Sequence, residues 1–466
     1  MFDLHLLGED ESVRVARYDP HASTLVWSDT GAPVDLEPVG MGYSANRSQI
    51  ELASMLHPTR PGRKAAKVRN LGIQLGLKCN QACSYCIQGE TDHTIDGHPD
   101  DVPVLLAKIE NNLDLGDGEG VTITFRGGEP FLYAKTLIPL ATEIRKRYPR
   151  ADLSTISNAS LFTPELVDWI EAVDLAVTIS HDGPGTLAAR GADPLEDPTL
   201  RAVLRDAFIR RGRRMSVNVV LSAENNSIAD VRDYLRAKLD LPEGAPLLVS
   251  TEGFATTFST AYAGAADLSR AAQRQWSENV NRLFFDMATG RSMDLAHARE
   301  RIGGFFETLA KAIPSVVMQQ GCNQDRDDHL VVDTKGHVIT CHNVSARDAG
   351  HHLGDLDNLP GVVVDTVTHW IHKHNCLTCP VLRFCKGGCH IVKREDQAGF
   401  CDDRFQAFMP YLAAALFYLT GRILTEIRGL QIRREGITSL TVIKPDTMTK
   451  GPAQRRKVIP IRHVSG

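Results

Sequence analysis

Ten cysteines carry the chemistry open to this sequence, and they are grouped rather than scattered. Cys79, Cys83 and Cys86 stand as C-x-x-x-C-x-x-C in LKCNQACSYCIQG. None follows for more than two hundred residues; then Cys322, Cys341, Cys376, Cys379, Cys385, Cys389 and Cys401 crowd into eighty. In a reducing compartment such grouping points to metal rather than to disulfides. A cubane [4Fe–4S] cluster is held by thiolates. Three closely spaced cysteines hold three irons and leave the fourth open, a reactive position as the open site of catalytic zinc is. The competing reading is an incomplete zinc site or a redox motif. Zinc fingers pair cysteines as C-x-x-C at both ends, and this spacing does not.

Short polar turns accompany the triad. They are Gly127-Gly128-Glu129-Pro130, Ser157-Asn158, and Ser180-His181-Asp182-Gly183. Two glycines let a ligand lie against backbone, and a glutamate accepts hydrogen bonds from an ammonium. The other two turns offer groups suited to a ribose or a carboxylate. Each alone is an ordinary turn. Their weight comes from position, since all follow consecutive strands of one expected sheet.

Those strands are LGIQLGL (71–77), VTITF (121–125), LSTIS (153–157), LAVTIS (175–180), MSVNVVLS (215–222) and PLLVST (246–251). Amphipathic helices are expected between them at 102–113, 136–148, 164–173 and 228–239. Apolar strands alternating with helices imply βαβ units and a parallel sheet. Six units are too few for a closed eight-fold barrel, so the expected class is α/β, a partial (β/α)6 TIM-like barrel. Its chemistry belongs at the C-terminal strand ends. Five segments are expected: a small N-terminal unit (1–68), the partial barrel (69–318), a cysteine-rich domain held by metal rather than by a core (319–403), one long apolar helix (404–430) and a basic tail (431–466). Residues 262–315 read as mostly helical.

Composition narrows the class. The chain has 466 residues, 42% hydrophobic and 23% charged, with a net charge of -5. That suits a globular chain of two or three domains and disfavours a nucleic-acid binder. No signal peptide and no membrane span are expected, which points to the cytoplasm.

With these residues in place, 70–255 resembles the radical S-adenosylmethionine (radical SAM) enzymes. The triad follows the first strand, Tyr85 stands before its last cysteine, and FRGGEP matches the motif that holds the SAM amine. The resemblance implies that the open iron chelates SAM. It also implies reductive cleavage to methionine and a 5′-deoxyadenosyl radical, which abstracts hydrogen from a carbon. Gly127, Gly128 and Glu129 would then hold the methionine amine. Ser157, Asn158, Ser180 and Asp182 are candidates for ribose and carboxylate.

Residues 322–401 resemble the seven-cysteine SPASM domain, which carries two auxiliary Fe–S clusters. The resemblance implies three [4Fe–4S] clusters in all. Cys376, Cys379, Cys385 and Cys401 would complete one auxiliary cluster, and Cys322, Cys341 and Cys389 would bind the other. Seven thiolates are one short of eight. Asp325, Asp327 and Asp328, a histidine of the domain, or an open site for substrate are the candidates for the missing ligand. SPASM proteins mostly modify gene-encoded peptides. The leading expectation is therefore a maturase of a ribosomally made precursor peptide, served by an electron donor such as flavodoxin or ferredoxin. A formylglycine-generating sulfatase maturase is the alternative. Those enzymes carry an aspartate base after the cysteine equivalent to Cys341; here His342 stands there, a candidate base or a plain loop residue. From another class, an Fe–S electron carrier or scaffold without chemistry has no use for a SAM-amine turn. The N-terminal unit reads as a cap or a peptide-recognition element. The basic tail reads as a solvated end or a dock for an acidic leader.

Overall fold

The computed structural model describes residues 1–36, 62–221, 225, 227–254, 282–283, 286, 296–364, 370–373, 376–392, 397–429 and 439–441. In chain order, β1 (Phe2–Leu7), β2 (Val13–Asp19) and β3 (Thr24–Trp27) form an antiparallel meander. A short strand, β4 (Gly62–Arg63), leads to the alternating region. That region runs β5 (Asn70–Gln74), α1 (Asp101–Asn112), β6 (Thr122–Arg126), α2 (Ala134–Arg147), β7 (Asp152–Ser157), α3 (Pro164–Ala172) and β8 (Leu175–Ser180). It continues with α4 (Thr186–Arg190), α5 (Pro198–Arg211), β9 (Met215–Leu221), α6 (Ile228–Lys238) and β10 (Leu248–Phe254). Then follow α7 (Ala296–Ala310), β11 (His329–Asp333), β12 (His337–Ile339), β13 (His352–Asp355) and β14 (Val363–Val364). The last elements are α8 (Leu382–Cys385), α9 (Gln397–Thr420), β15 (Ile423–Gly429) and β16 (Ser439–Thr441).

Strands β5 to β10 pair in parallel, each with the next. Their apolar residues alternate into the core, as with Leu71 and Ile73 or Ile123 and Phe125. The helices between them bury one stripe; in α1 it is Val102, Leu105, Leu106 and Ile109, the spacing of one helical face. Thr163, Asp197 and Ser227 cap the starts of α3, α5 and α6 with side-chain oxygens. The helix α5 escaped sequence reading because PTLRAVLRDAFIRR buries only Leu204, Ala207 and Phe208. The sheet runs β10-β9-β8-β7-β6-β5-β11-β12-β13 and does not close, so the α/β architecture is a partial barrel.

Three parts of the chain sit differently from expectation. First, the helix ends at Thr420, where Gly421 turns with φ +65°, and β15 occupies what was expected as its last turns. Leu424 and Ile427 are three apart, a helical interval, yet they pair opposite Leu6 and Leu4 of β1. A bulge between His5 and Leu6 absorbs the extra residue and keeps both side chains on the buried face. Second, the N-terminal meander is not self-contained. Its sheet runs β16-β15-β1-β2-β3, so the two ends of the chain share one layer. The cysteine-rich segment likewise lends β11 to the edge of β5, in parallel, with β12 and β13 following antiparallel. It therefore shares the barrel's sheet instead of standing on metal alone.

Helix α9 is buried on all sides around Leu412, Ala413, Ala414, Ala415 and Leu416. Among the described residues no helix is long and apolar enough to cross a membrane. Because Leu424 is fully buried, Leu424→Ala is expected to cost about 2–5 kcal/mol, read as a lower midpoint in urea unfolding. An unchanged midpoint would refute the β1–β15 pairing. Residues 37–61, most of 262–295 and nearly all of the basic tail lie outside the described residues.

Candidate metal and cofactor centre

The cysteine triad leaves the C-terminal end of β5, a central strand between β6 and β11. The loop's backbone is tied to the next strand end. Gly128 N donates to Gly76 O (3.0 Å) and Glu129 N donates to Lys78 O (3.0 Å). Lys78 N donates to Tyr133 Oη (2.9 Å), which donates to Asp96 Oδ1 (2.9 Å). A Cβ on Gly127 would stand 2.4 Å from Gly76 O, and one on Gly128 2.3 Å from Lys78 O. The glycine pair is thus demanded by the cysteine loop itself. Sequence reading credited it to the approach of a ligand.

The three thiols lie close enough to influence one another electrostatically. Burial raises the Cys83 thiol to about 11 and lifts those of Cys79 and Cys86, so bare thiolates are disfavoured there. Arg190 opposes that rise at Cys83 and Cys86. Three thiol donors with no disulfide partner fit an iron cluster with one open iron. Among the described residues no group of three or more His, Cys, Asp or Glu converges on a single ion; a cubane instead takes one thiolate per iron.

Glu129 lies buried beside the triad. Its Oε1 accepts from Phe131 N (3.1 Å) and Ser157 Oγ (2.8 Å), and its Oε2 from Asn158 N (2.7 Å). Burial raises its pKa against these three bonds. A carboxylate has about four acceptor positions, so one remains, and no described lysine or arginine pairs with it. A buried carboxylate without a cation fits a ligand ammonium. Ser157 therefore positions Glu129, with Ala159 N donating to the same hydroxyl (2.9 Å). Asn158 reaches the triad directly, its Nδ2 3.8 Å from Cys79 Sγ.

Asp182 is occupied differently from expectation. Its oxygens accept from Tyr85 Oη (2.5 Å), Arg190 Nε (2.8 Å), Arg190 Nη2 (2.9 Å) and Val220 N (2.8 Å). Four bonds fill its capacity, so it holds Tyr85 and Arg190 against the triad and has no site left for a ribose. The Arg190 guanidinium also lies 5.4 Å over the Tyr85 ring. Ser180 ends β8 at an intermediate depth. Arg190 is the functional residue that sequence reading missed; one arginine closing TLAAR before Gly191 was its signal.

The seven remaining cysteines gather in two places. Cys376, Cys379, Cys385 and Cys401 line a single pocket, beside Lys373. Consecutive left-handed residues Lys386, Gly387 and Gly388 bend the chain so that the Gly387 and Gly388 amides support the Cys385 sulfur. A Cβ at Gly387 would stand 2.4 Å from that of Trp370. Lys373 and Arg404 add positive charge near Cys385, which suits an anionic cluster. Elsewhere, Cys341 senses the charge of both Cys389 and Cys322. Burial pushes the Cys341 thiol up to about 12.

The Cys341 loop is fastened to the barrel. Gln74 Nε2 donates to His342 O and Val344 O (both 2.8 Å). Gln88 Nε2 donates to Gly127 O (3.1 Å) and Asn343 Oδ1 (2.8 Å). His342 is held neutral, its pKa pushed down to about 3 by burial and by Arg126. Neutrality is the form a base needs, but so low a value makes it a poor proton acceptor.

Residues 73–235 match the family described as the Radical SAM superfamily, so the chain carries a radical SAM domain and is an enzyme. Its fold is similar to "Native anSMEcpe with bound AdoMet", at 17% identity and TM-score 0.54, covering 76% of this chain and 99% of that one. "Native anSMEcpe with bound AdoMet and Kp18Cys peptide" gives 17% identity and TM-score 0.54 over the same shares, 76% and 99%. "Native anSMEcpe with bound AdoMet and Cp18Cys peptide" gives 16% and 0.51, again over 76% and 99%. No curated protein matches the chain.

Proposed function

We propose that the chain is a radical SAM maturase of a ribosomally made precursor peptide, carrying three [4Fe–4S] clusters. The observation that carries this reading is the sorting of all ten cysteines into three spatial sets. The Cys341 loop is tied to Gln74 and Gln88 at the barrel mouth. A fold-mate with both AdoMet and a peptide bound adds support. When bound, SAM and the open iron would supply a 5′-deoxyadenosyl radical that takes hydrogen from a peptide carbon. Cys79, Cys83 and Cys86 would hold that cluster. Glu129 orients the SAM ammonium, with Ser157 and Asn158 fixing the carboxylate. Asp182 keeps Tyr85 and Arg190 packed under the site. The auxiliary sets would pass on the electron left after hydrogen removal, with flavodoxin or ferredoxin as the external donor.

The test is anaerobic turnover with SAM, reductant and short peptides encoded beside this gene. Production of 5′-deoxyadenosine coupled to loss of two hydrogens from one peptide is the expected result. 5′-Deoxyadenosine with no peptide altered would refute the maturase reading, and none at all would favour the electron carrier.

Glu129→Gln is expected to weaken SAM binding roughly 10- to 150-fold, the worth of one charge-assisted bond. Burial raises the Glu129 pKa, so on acidification it gains a proton earlier than an ordinary glutamate. SAM affinity should therefore fall as the pH drops through that raised value, and the fall should vanish in the Gln variant. Calorimetric titration across pH measures both.

A further inference from the structure

We propose that Lys64 is a positioning residue for the Cys322, Cys341 and Cys389 set, and that its buried ammonium raises the reduction potential of the cluster those thiolates would hold. This rests on the two-auxiliary-cluster reading above and names what tunes one of its clusters. Lys64 precedes β5 and is only 7% exposed. Its Nζ donates to Gln324 O (2.9 Å) and Arg326 O (2.8 Å), both in the turn that follows Cys322. Gln324 gives its own amide to the Cys322 sulfur. Lys64 thus grips the residue that supports that sulfur, close enough for its charge to act on Cys322. Burial pulls its pKa down to about 8, while Asp325, Asp327 and Cys322 pull it up, so the ammonium form prevails at pH 7.

Holding the turn does not require a charge. Backbone bonds already fasten the two segments: Ala65 N donates to Asp327 O (3.0 Å), and Arg69 N and Asn70 N both donate to Asp328 O (2.9 and 3.1 Å). A neutral amide would reach two carbonyls without the cost of burying a cation. The buried ammonium is matched by anions instead. Asp328 is clasped by Arg326 at 2.7 and 2.6 Å, and Asp327 is exposed to solvent. Asp325 is 4% exposed, its Oδ2 accepts from Gln320 N (2.9 Å), and its charge pushes the Cys322 thiol up. Positive charge also reaches the other two members, from Arg126 at Cys341 and from Arg404 and Lys373 at Cys389. Reduction adds an electron to an anionic cluster. A buried cation beside it favours the reduced form, and a buried carboxylate opposes it. Lys64 offsets Asp325 at the Cys322 end.

The test uses the full chain with Cys79, Cys83 and Cys86 replaced by Ala, so that only auxiliary iron remains. After anaerobic reconstitution, reduction is titrated potentiometrically and followed by electron paramagnetic resonance. The step belonging to this set is the one lost on triple Cys322→Ala, Cys341→Ala, Cys389→Ala replacement. If that replacement removes no iron, the auxiliary cluster itself is refuted and not the role of Lys64. In Lys64→Met that step is expected to fall so that reduction is at least about tenfold less favourable, 59 mV for one electron. The step of the four-cysteine cluster should stay in place. Lys64→Arg, which keeps the charge, should hold the potential. Asp325→Asn, which keeps an acceptor for Gln320 N, should raise it. Opposite shifts from the two single changes are what a purely structural lysine would not produce. An unmoved potential in Lys64→Met, or a fall in Asp325→Asn, overturns the proposal. Loss of about four irons from Asp325→Asn would make that carboxylate a ligand and overturns it as well. If Lys64→Met takes up no iron in this set, Lys64→Arg and Asp325→Asn decide by the same signs.

Discussion

Simultaneous Cys79→Ala, Cys83→Ala and Cys86→Ala replacement is expected to reduce 5′-deoxyadenosine formation to background while about eight irons per chain remain. The three thiols are the only cysteines on the loop after β5, and Glu129 and Asn158 converge on that loop from the adjacent strand ends. Without thiolates there is no open iron beside Glu129 to receive SAM. The auxiliary sets belong to residues 322–401, on separate backbone, so their iron should survive. Iron and sulfide are counted after anaerobic reconstitution, with zinc as the control. Retained 5′-deoxyadenosine, or loss of all iron, would refute the division of the ten cysteines. In the unaltered chain about twelve irons are expected; about four, or stoichiometric zinc, would refute the three-cluster reading.

The second large effect is on stability. Asp182→Ala is expected to cost about 3–5 kcal/mol, because it leaves the buried Arg190 charge unpaired. The pair is bidentate, with Arg190 side chain 8% and Asp182 1% exposed, so solvent cannot take over. Tyr85 Oη and Val220 N lose their acceptor in the same change. That is a large share of the stability of an ordinary domain. Tyr85→Phe removes only one bond, and about 1 kcal/mol is expected. Urea unfolding compares the three proteins. An Asp182→Ala loss no greater than that of Tyr85→Phe would show that Arg190 finds another partner.

Sequence reading succeeded where the signal is local. The strands from 70 to 254 announce themselves by apolar runs bounded by turns, and five of the six observed strands begin within one residue of expectation. The cysteine triad was legible because its spacing on one loop lets three thiols meet, whereas the division of the other seven came from the resemblance to the SPASM domain. Strand β15 was misread for a physical reason: the bulge in its pairing with β1 spaces Leu424 and Ile427 as a helix would. No local pattern reports a partner strand more than four hundred residues away.

The sequence by itself determined the class of chemistry, since thiolates, a glutamate and glycines at those intervals suit little else. Tertiary structure alone decided what each polar residue does. Asp182 was a ribose candidate by position, and folding brings Arg190, Tyr85 and Val220 N to it and uses up its lone pairs. Gly127 and Gly128 were read as room for a ligand, and folding fills that room with the cysteine loop's own carbonyls. Ser157 became the support of Glu129. A side chain's chemistry is written in its type, but its free hydrogen-bonding capacity is what remains after distant neighbours have been satisfied, and those neighbours meet only in the folded chain.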